Sequence, residues 1–240
     1  MTIEHEPDRM TGTRIPSTGA EAFQIAESAG SSLQERLDIY SSFSRMLYPA
    51  INSQYDKLID RLAFLKGAGP AIGGKLPDFM LPDVNGRLTC LDDYLGKGPL
   101  VISFNRGHWC PWCRLEVKAL ASIYPGIRAA GADAVSIVPE TAAYARRLTE
   151  AALLPFPVLT DLDLGYTLSI GLAIWAGAEL RDSYKALGLE LALFHGNEGC
   201  LLPVPATFVL GGDGRIKARF VDPDFRKRMD PQDILKALAG

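Results

Sequence analysis

The run Trp109-Cys110-Pro111-Trp112-Cys113 constrains this chain more than any other stretch, because it sets two thiols at a junction between two kinds of periodicity. Before it, Pro99-Leu100-Val101-Ile102-Ser103-Phe104 is a short apolar run rich in β-branched residues and bounded by Gly96, Gly98 and Pro99, which reads as a buried strand. After it, Leu115, Ala119, Leu120 and Ile123 recur at helical spacing, so Cys110 and Cys113 fall in the turn and first turn of a helix. A helix start concentrates unpaired N–H groups and the positive end of the helix dipole, and both stabilise a thiolate. Pro111 suits an early helical position, where its missing N–H costs nothing. The prediction is a dithiol/disulfide couple with redox chemistry.

Three plainer readings compete. Two cysteines can fill a core as small hydrophobes, but a strand, a Cys-x-x-Cys and a helix in succession is an uncommon way to do so. A zinc site needs four ligands; Cys90, Cys200, His108 and His195 are the candidates to complete one, yet no second Cys-x-x-Cys or His-x-x-x-His pair exists, so no metal is expected. A structural disulfide is opposed by compartment. Met1 to Ala22 holds Glu4, His5, Glu6, Asp8, Arg9 and Arg14 with no apolar centre, unlike a signal peptide, which predicts a cytoplasmic protein whose disulfide is catalytic. No cofactor is called for.

With 240 residues, the chain suffices for one full domain with an extension. A net charge of −3 and the lack of a basic cluster interleaved with aromatics predict no nucleic-acid partner. Arg226-Lys227-Arg228 lies among Asp222, Asp224 and Asp230 and reads as a solvated mixed-charge face. No apolar stretch is long enough to span a membrane.

Along the chain, residues 1–19 read as a disordered or loosely docked tail, 20–67 as a helical extension and 76–240 as the main domain. Ser32 and Glu35 form a capping-box pattern ahead of Leu33, Leu37, Tyr40 and Leu47, and past Pro49 a second stripe runs through Ile51, Tyr55, Leu58, Leu62 and Leu65 to Gly67. These two helices carry apolar faces that pack on the main domain or on a second subunit, so a homodimer is a candidate. Gly69 to Lys75 mimics a phosphate-binding loop in spacing only and reads as a linker, since a helix precedes it and Leu76-Pro77 follow. Phe79 to Leu91 reads as a hairpin with an Asn85-Gly86 turn. Ala134 to Val138 and Phe156 to Leu159 read as strands around a helix from Thr141 to Ala152; Asp161 to Leu202 as helices and loop. Ala206 to Leu210 and Arg215 to Val221 form a hairpin about Gly211 to Gly214, and Asp230-Pro231 opens a last helix. Strands alternating with helices give an α/β architecture, a central mixed sheet flanked by helices.

This order, ending in the Val204-Pro205-Ala206-Thr207-Phe208 hairpin and a helix, resembles the thioredoxin fold, in which a cis-proline starts the strand facing the redox cysteines; Pro205 stands where it would. Phe104-Asn-Arg106-Gly-His-Trp109-Cys110-Pro-Trp-Cys113-Arg-Leu-Glu116 is similar, without gaps, to the peroxiredoxin active-site segment. Phe104 and Glu116 keep their places, Arg106 replaces a proline, Cys110 replaces a Thr or Ser, and Cys113 takes the peroxidatic position. With Leu202 to Val209 and Phe220-Val-Asp-Pro-Asp-Phe-Arg226, the chain resembles the bacterial peroxiredoxin-like branch grouped with the alkyl hydroperoxide reductase and thiol-specific antioxidant proteins.

The resemblance implies a thiol peroxidase acting on hydrogen peroxide or organic hydroperoxides, with a Cys110–Cys113 disulfide that thioredoxin, glutaredoxin or glutathione reduces. Arg106 is then the thiolate's cation, with Trp109, Glu116 and Pro205 in supporting places and Cys200 a candidate resolving thiol. Position at the helix end favours Cys110 as attacker, as the more exposed residue of the pair; the peroxiredoxin register favours Cys113. A thiol–disulfide oxidoreductase is the rival, since Cys-Pro-Trp-Cys resembles the glutaredoxin motif, although the strand from Val101 to Phe104 carries no buried acid to manage the second thiol's proton. A redox-sensing module is the third. His108 reads as a tuner of the thiolate or an exposed loop residue, His195 as a loop residue and Cys90 as core.

Overall fold

The computed structural model describes residues 15–30 and 32–240; most of the expected tail, residues 1–14, lies outside them. The extension contains three helices rather than two: α1 (Gly19–Ser28), α2 (Leu33–Leu47) and α3 (Pro49–Arg61). α1 went unread because its apolar face is short, with Ala22, Phe23 and Ala26 its buried residues. Ser32 and Glu35 close the capping box of α2 as predicted. Pro49 starts α3, and the Asn52 amide donates to the Ser44 carbonyl at 2.9 Å, fixing the corner between the two helices.

A hairpin of β1 (Met80–Pro82) and β2 (Leu88–Cys90) leads through α4 (Leu91–Leu95) into β3 (Leu100–Phe104). There follow α5 (Pro111–Ala129), β4 (Asp133–Val138), α6 (Ala142–Ala152), β5 (Val158–Thr160), α7 (Gly165–Ser169), β6 (Ala173–Trp175), α8 (Ala178–Ala186), α9 (Leu191–His195) and β7 (Leu201–Pro203). The chain closes with β8 (Ala206–Leu210), β9 (Ile216–Val221) and α10 (Pro231–Ala239). Segment 161–202, read as helix and loop alone, also holds a two-stranded sheet, β6 against β7. Three-residue strands leave too little alternation to read from sequence.

The main sheet has the order β5-β4-β3-β8-β9, with β3, β4 and β5 parallel and β8 and β9 antiparallel. β3 is central and buried on both faces, which is why its sequence is a near-continuous apolar run. Leu100, Ile102 and Phe104 face a core shared with Leu81, Tyr94 and Tyr166, whereas Val101 faces Leu120, Ile127 and Ile234 beneath α5 and α10. Ser103 points the same way as Val101, toward α5.

The apolar stripes of the extension are buried within the chain. Phe23, Leu37, Tyr40, Tyr55 and Leu58 join Trp109, Cys110, Trp112 and Cys113 in one core cluster with Tyr184 and Phe225. Tyr40 meets the Trp112 ring edge-on at 4.9 Å, and the Trp112 indole N–H donates to Ser41 Oγ at 2.9 Å. The faces that raised the idea of a dimer therefore cover the chain's own Cys-x-x-Cys. No helix among the described residues is long and apolar enough to cross a membrane.

Candidate active site

Cys110 is the N-cap of α5 and Pro111 its first residue, so the pair sits at the predicted helix start. The loop before it is locked from below. Gly107 has φ +123°, and a Cβ there would lie 2.4 Å from the Glu140 carboxyl carbon, so only glycine fits. Glu140, fully buried, accepts the His108 backbone N–H at 2.9 Å and contacts the His108 ring Nδ1 at 2.6 Å; Tyr144 and Phe194 enclose that ring. His108 is thus neither an exposed loop residue nor free, and Glu140 was not read from the sequence at all.

Both cysteines are free thiols in this structure and both are 0% exposed. This corrects the expectation that Cys110 is the open member of the pair: the helical extension, absent from a bare strand–turn–helix unit, roofs it. The two thiols are nevertheless different. Burial raises the Cys110 pKa, but the thiol and backbone N–H of Cys113 and the charges of Arg106 and Arg228 outweigh it and leave the value lowered to about 6. Burial, its interaction with Cys110 and the negative charge there push Cys113 well above an ordinary thiol. The surroundings thus favour ionisation of Cys110 over that of Cys113.

Arg106 is buried and lies against the pair. Its backbone N–H points to Cys113 Sγ at 3.4 Å, and its Nη2 donates to the Tyr184 hydroxyl at 2.6 Å. The guanidinium stacks over Phe225 at 4.0 Å and Trp109 at 4.8 Å. Arg106 Nε and Trp109 Nε1 are buried donors with no hydrogen-bond partner.

Arg228 is the main residue missed. Read as part of a solvated charge run, it is 6% exposed and pairs with buried Glu116, while its Nη2 reaches Cys113 Sγ at 3.5 Å. Its Nη1 donates to the carbonyls of Phe225 and Lys227. Phe225 and Met229, both buried, bracket the run and were the available signal that it turns inward. Glu116 also accepts from Ser103 at 2.8 Å and Thr207 at 3.2 Å. A buried acid beside the second cysteine is thus present after all, supplied by α5 instead of β3.

Pro205 is buried at the start of β8, and with no cis peptide among the described residues its preceding bond is trans, unlike the thioredoxin pattern it was read against. Cys200, in a left-handed conformation at φ +49°, has the Gly177 carbonyl at 3.8 Å as its hydrogen-bond partner, so neither redox sulfur is bonded to it. His195 ends α9, is 2% exposed and keeps its Nε2 without a partner; burial, then the charges of Arg106 and His108, lower its pKa to about 4. Cys90 is half-buried and precedes α4, with its N–H on Asp93. Among the described residues no group of His, Cys, Asp and Glu is placed to hold a metal ion.

The profile of the AhpC/TSA family matches residues 72–219. The thiol-disulfide oxidoreductase ResA of Geobacillus thermodenitrificans (strain NG80-2) is 31% identical over 99 residues, 41% of this chain and 56% of that protein, so the match spans little more than half of the relative. Peroxiredoxin Q, chloroplastic, of Oryza sativa subsp. japonica is 30% identical over 89 residues, 37% of this chain and 41% of its own. The crystal structure of peroxidoxin BcpB from Mycobacterium tuberculosis superposes with a TM-score of 0.55 at 20% identity, covering 71% of this chain and 97% of that one. Helices α1 to α3, Phe225 and Arg228 lie outside the family match. The sheet order, the dithiol at the head of α5 and the family match agree: the chain belongs to the AhpC/TSA family and has the thioredoxin fold of the peroxiredoxins.

Proposed function

We propose that the protein is a thiol peroxidase in which Cys110 attacks and Cys113 resolves. One arrangement carries this reading: a thiolate-forming Cys110, sealed from solvent, beside Arg106, whose buried Nε–H has no partner. A buried donor left unpaired is costly unless an acceptor-rich ligand uses it. A hydroperoxide is such a ligand, and it is small enough to reach a sulfur that a folded protein substrate cannot touch.

The Cys110 thiolate attacks the terminal oxygen of R–O–OH; an S–O bond forms, the O–O bond breaks, and the departing RO⁻ takes a proton to leave as ROH. Cys113 then attacks the resulting sulfenic acid, forming the disulfide and releasing water. Its raised pKa keeps Cys113 protonated until then, and the Glu116–Arg228 pair lies beside its sulfur when that proton must leave. An external thiol small enough to reach the buried disulfide, of the glutathione kind, supplies the two electrons that reopen it.

Similarity to the ResA proteins and the Cys-x-x-Cys spacing favour a second reading, thiol–disulfide exchange. Stopped-flow oxidation by hydrogen peroxide and an organic hydroperoxide, run beside insulin reduction, separates the two. The peroxidase reading expects peroxide oxidation at least about 10²-fold faster than a free thiol and no insulin turnover. Oxidation no faster than a free thiol, with insulin turnover, reverses the assignment.

A further inference from the structure

Arg106 is held by a wall that the family match does not fully include. Its Nη2 donates to the hydroxyl of Tyr184 on α8, which is 0% exposed. The Tyr184 ring lies 5.1 Å from Trp109 and 6.1 Å from Tyr55 of α3, whose hydroxyl interacts electrostatically with that of Tyr184. Tyr55 in turn packs edge-on against Phe225 at 5.0 Å and Trp112 at 6.1 Å, the rings that flank the guanidinium and the dithiol. A guanidinium stacked between Phe225 and Trp109 can slide in its slot; one hydrogen bond to a fixed phenol sets where along the slot the charge sits.

We propose that Tyr184 of α8, packed by Tyr55 of the N-terminal helical extension, is a positioning residue that fixes the Arg106 charge beside Cys110, which makes the extension a working part of the redox site. This rests on the reading of Cys110 as the reactive thiolate. The groups facing that sulfur are Cys113 on α5, Arg106 in the loop, Arg228 before α10, Tyr40 on α2, Tyr55 on α3 and Tyr184 on α8. Among them Arg106 and Arg228 are the cations, and Arg228 is anchored by Glu116 and two backbone carbonyls, whereas among the described residues the Arg106 guanidinium has a single polar anchor, on Tyr184. The extension is then needed for reactivity as well as for covering the core.

The test is the pH profile of iodoacetamide alkylation at Cys110, read by mass spectrometry, in the full-length protein. Tyr184→Phe should move the acidic limb up by about one pH unit, a tenfold loss of rate on that limb, and Tyr55→Phe by less in the same direction. Tyr48→Phe, which removes the extension's bond to the Gly19 N–H at 3.1 Å without touching Arg106, should lower the melting temperature and leave the profile in place. In an Arg106→Met background, Tyr184→Phe should add no further shift, since both act through one group. If Tyr184→Phe and Tyr55→Phe fold, melt earlier and keep the wild-type profile, the phenols are only packing and the inference is overturned. A wild-type profile centred at an ordinary thiol pKa overturns the reading beneath it, and the inference falls with it. If Tyr184→Phe does not fold, Tyr55→Phe decides alone.

Discussion

The two sulfurs of the pair occupy one helical turn, yet their surroundings differ in kind. On the side of Cys113 the sheet, α5 and the segment before α10 contribute Ser103, Thr207, Glu116 and Arg228, a buried polar network in which each charge has a counterion and hydrogen bonds. Around Cys110 the extension, α8 and α5 contribute Tyr40, Tyr55, Tyr184 and Trp112, an aromatic wall behind the Arg106 guanidinium. Identical side chains thereby acquire different tasks. The Cys113 thiol and the charges of Arg106 and Arg228 lower the Cys110 pKa against its burial, whereas burial and the interaction with Cys110 raise that of Cys113.

If the polar side is a closed network, breaking it should cost most. Arg228→Met leaves the Glu116 carboxylate buried without its cation and should destabilise the fold by about 4 kcal/mol in urea unfolding, whereas Glu116→Gln with Arg228→Met together should cost less than the single change. A loss below about 1 kcal/mol for Arg228→Met would mean water reaches the network, and the contrast between the two sides would dissolve.

The aromatic side should respond through packing instead. Trp112→Ala removes a buried indole and its bond to Ser41, and should cost about 3 kcal/mol while exposing Cys110 to bulky thiol reagents that wild type resists. Equal reactivity of wild type and variant toward such a reagent would show that the extension is no barrier.

A smaller effect links the redox loop to acid stability. His195 takes a proton near pH 6.5 when unfolded but near 4 when folded, so the unfolded state binds the proton first as pH falls. Stability is complete above about pH 6.5 and is lost between there and about pH 4, by at most roughly 3 kcal/mol. His195→Gln should flatten that part of the stability curve; an unchanged curve would place the acid loss elsewhere.

The sheet, the helix start and the dithiol were legible because each has a local signature: a β-branched run, a switch of period, a proline at a helix head. Arg228 was not, since a charge run looks the same in sequence whether it faces water or folds over a buried acid. The roof over Cys110 was half legible. Its stripes could be read in Tyr40 and Tyr55, but what they cover is a matter of tertiary contact, and exposure of Cys110 was inferred from local geometry that the roof overrides. His108 shows the same limit, because its partner Glu140 comes from the end of a different strand.

The mechanism is decided by which sulfur meets the peroxide first. Treating Cys113→Ser and Cys110→Ser with one equivalent of hydrogen peroxide, then trapping sulfenic acid with a dimedone probe and locating it by mass spectrometry, answers this directly. The prediction is rapid, persistent sulfenic acid on Cys110 in Cys113→Ser and oxidation no faster than a free thiol in Cys110→Ser. Fast trapping on Cys113 in Cys110→Ser, with Cys110 inert in the other variant, would contradict it.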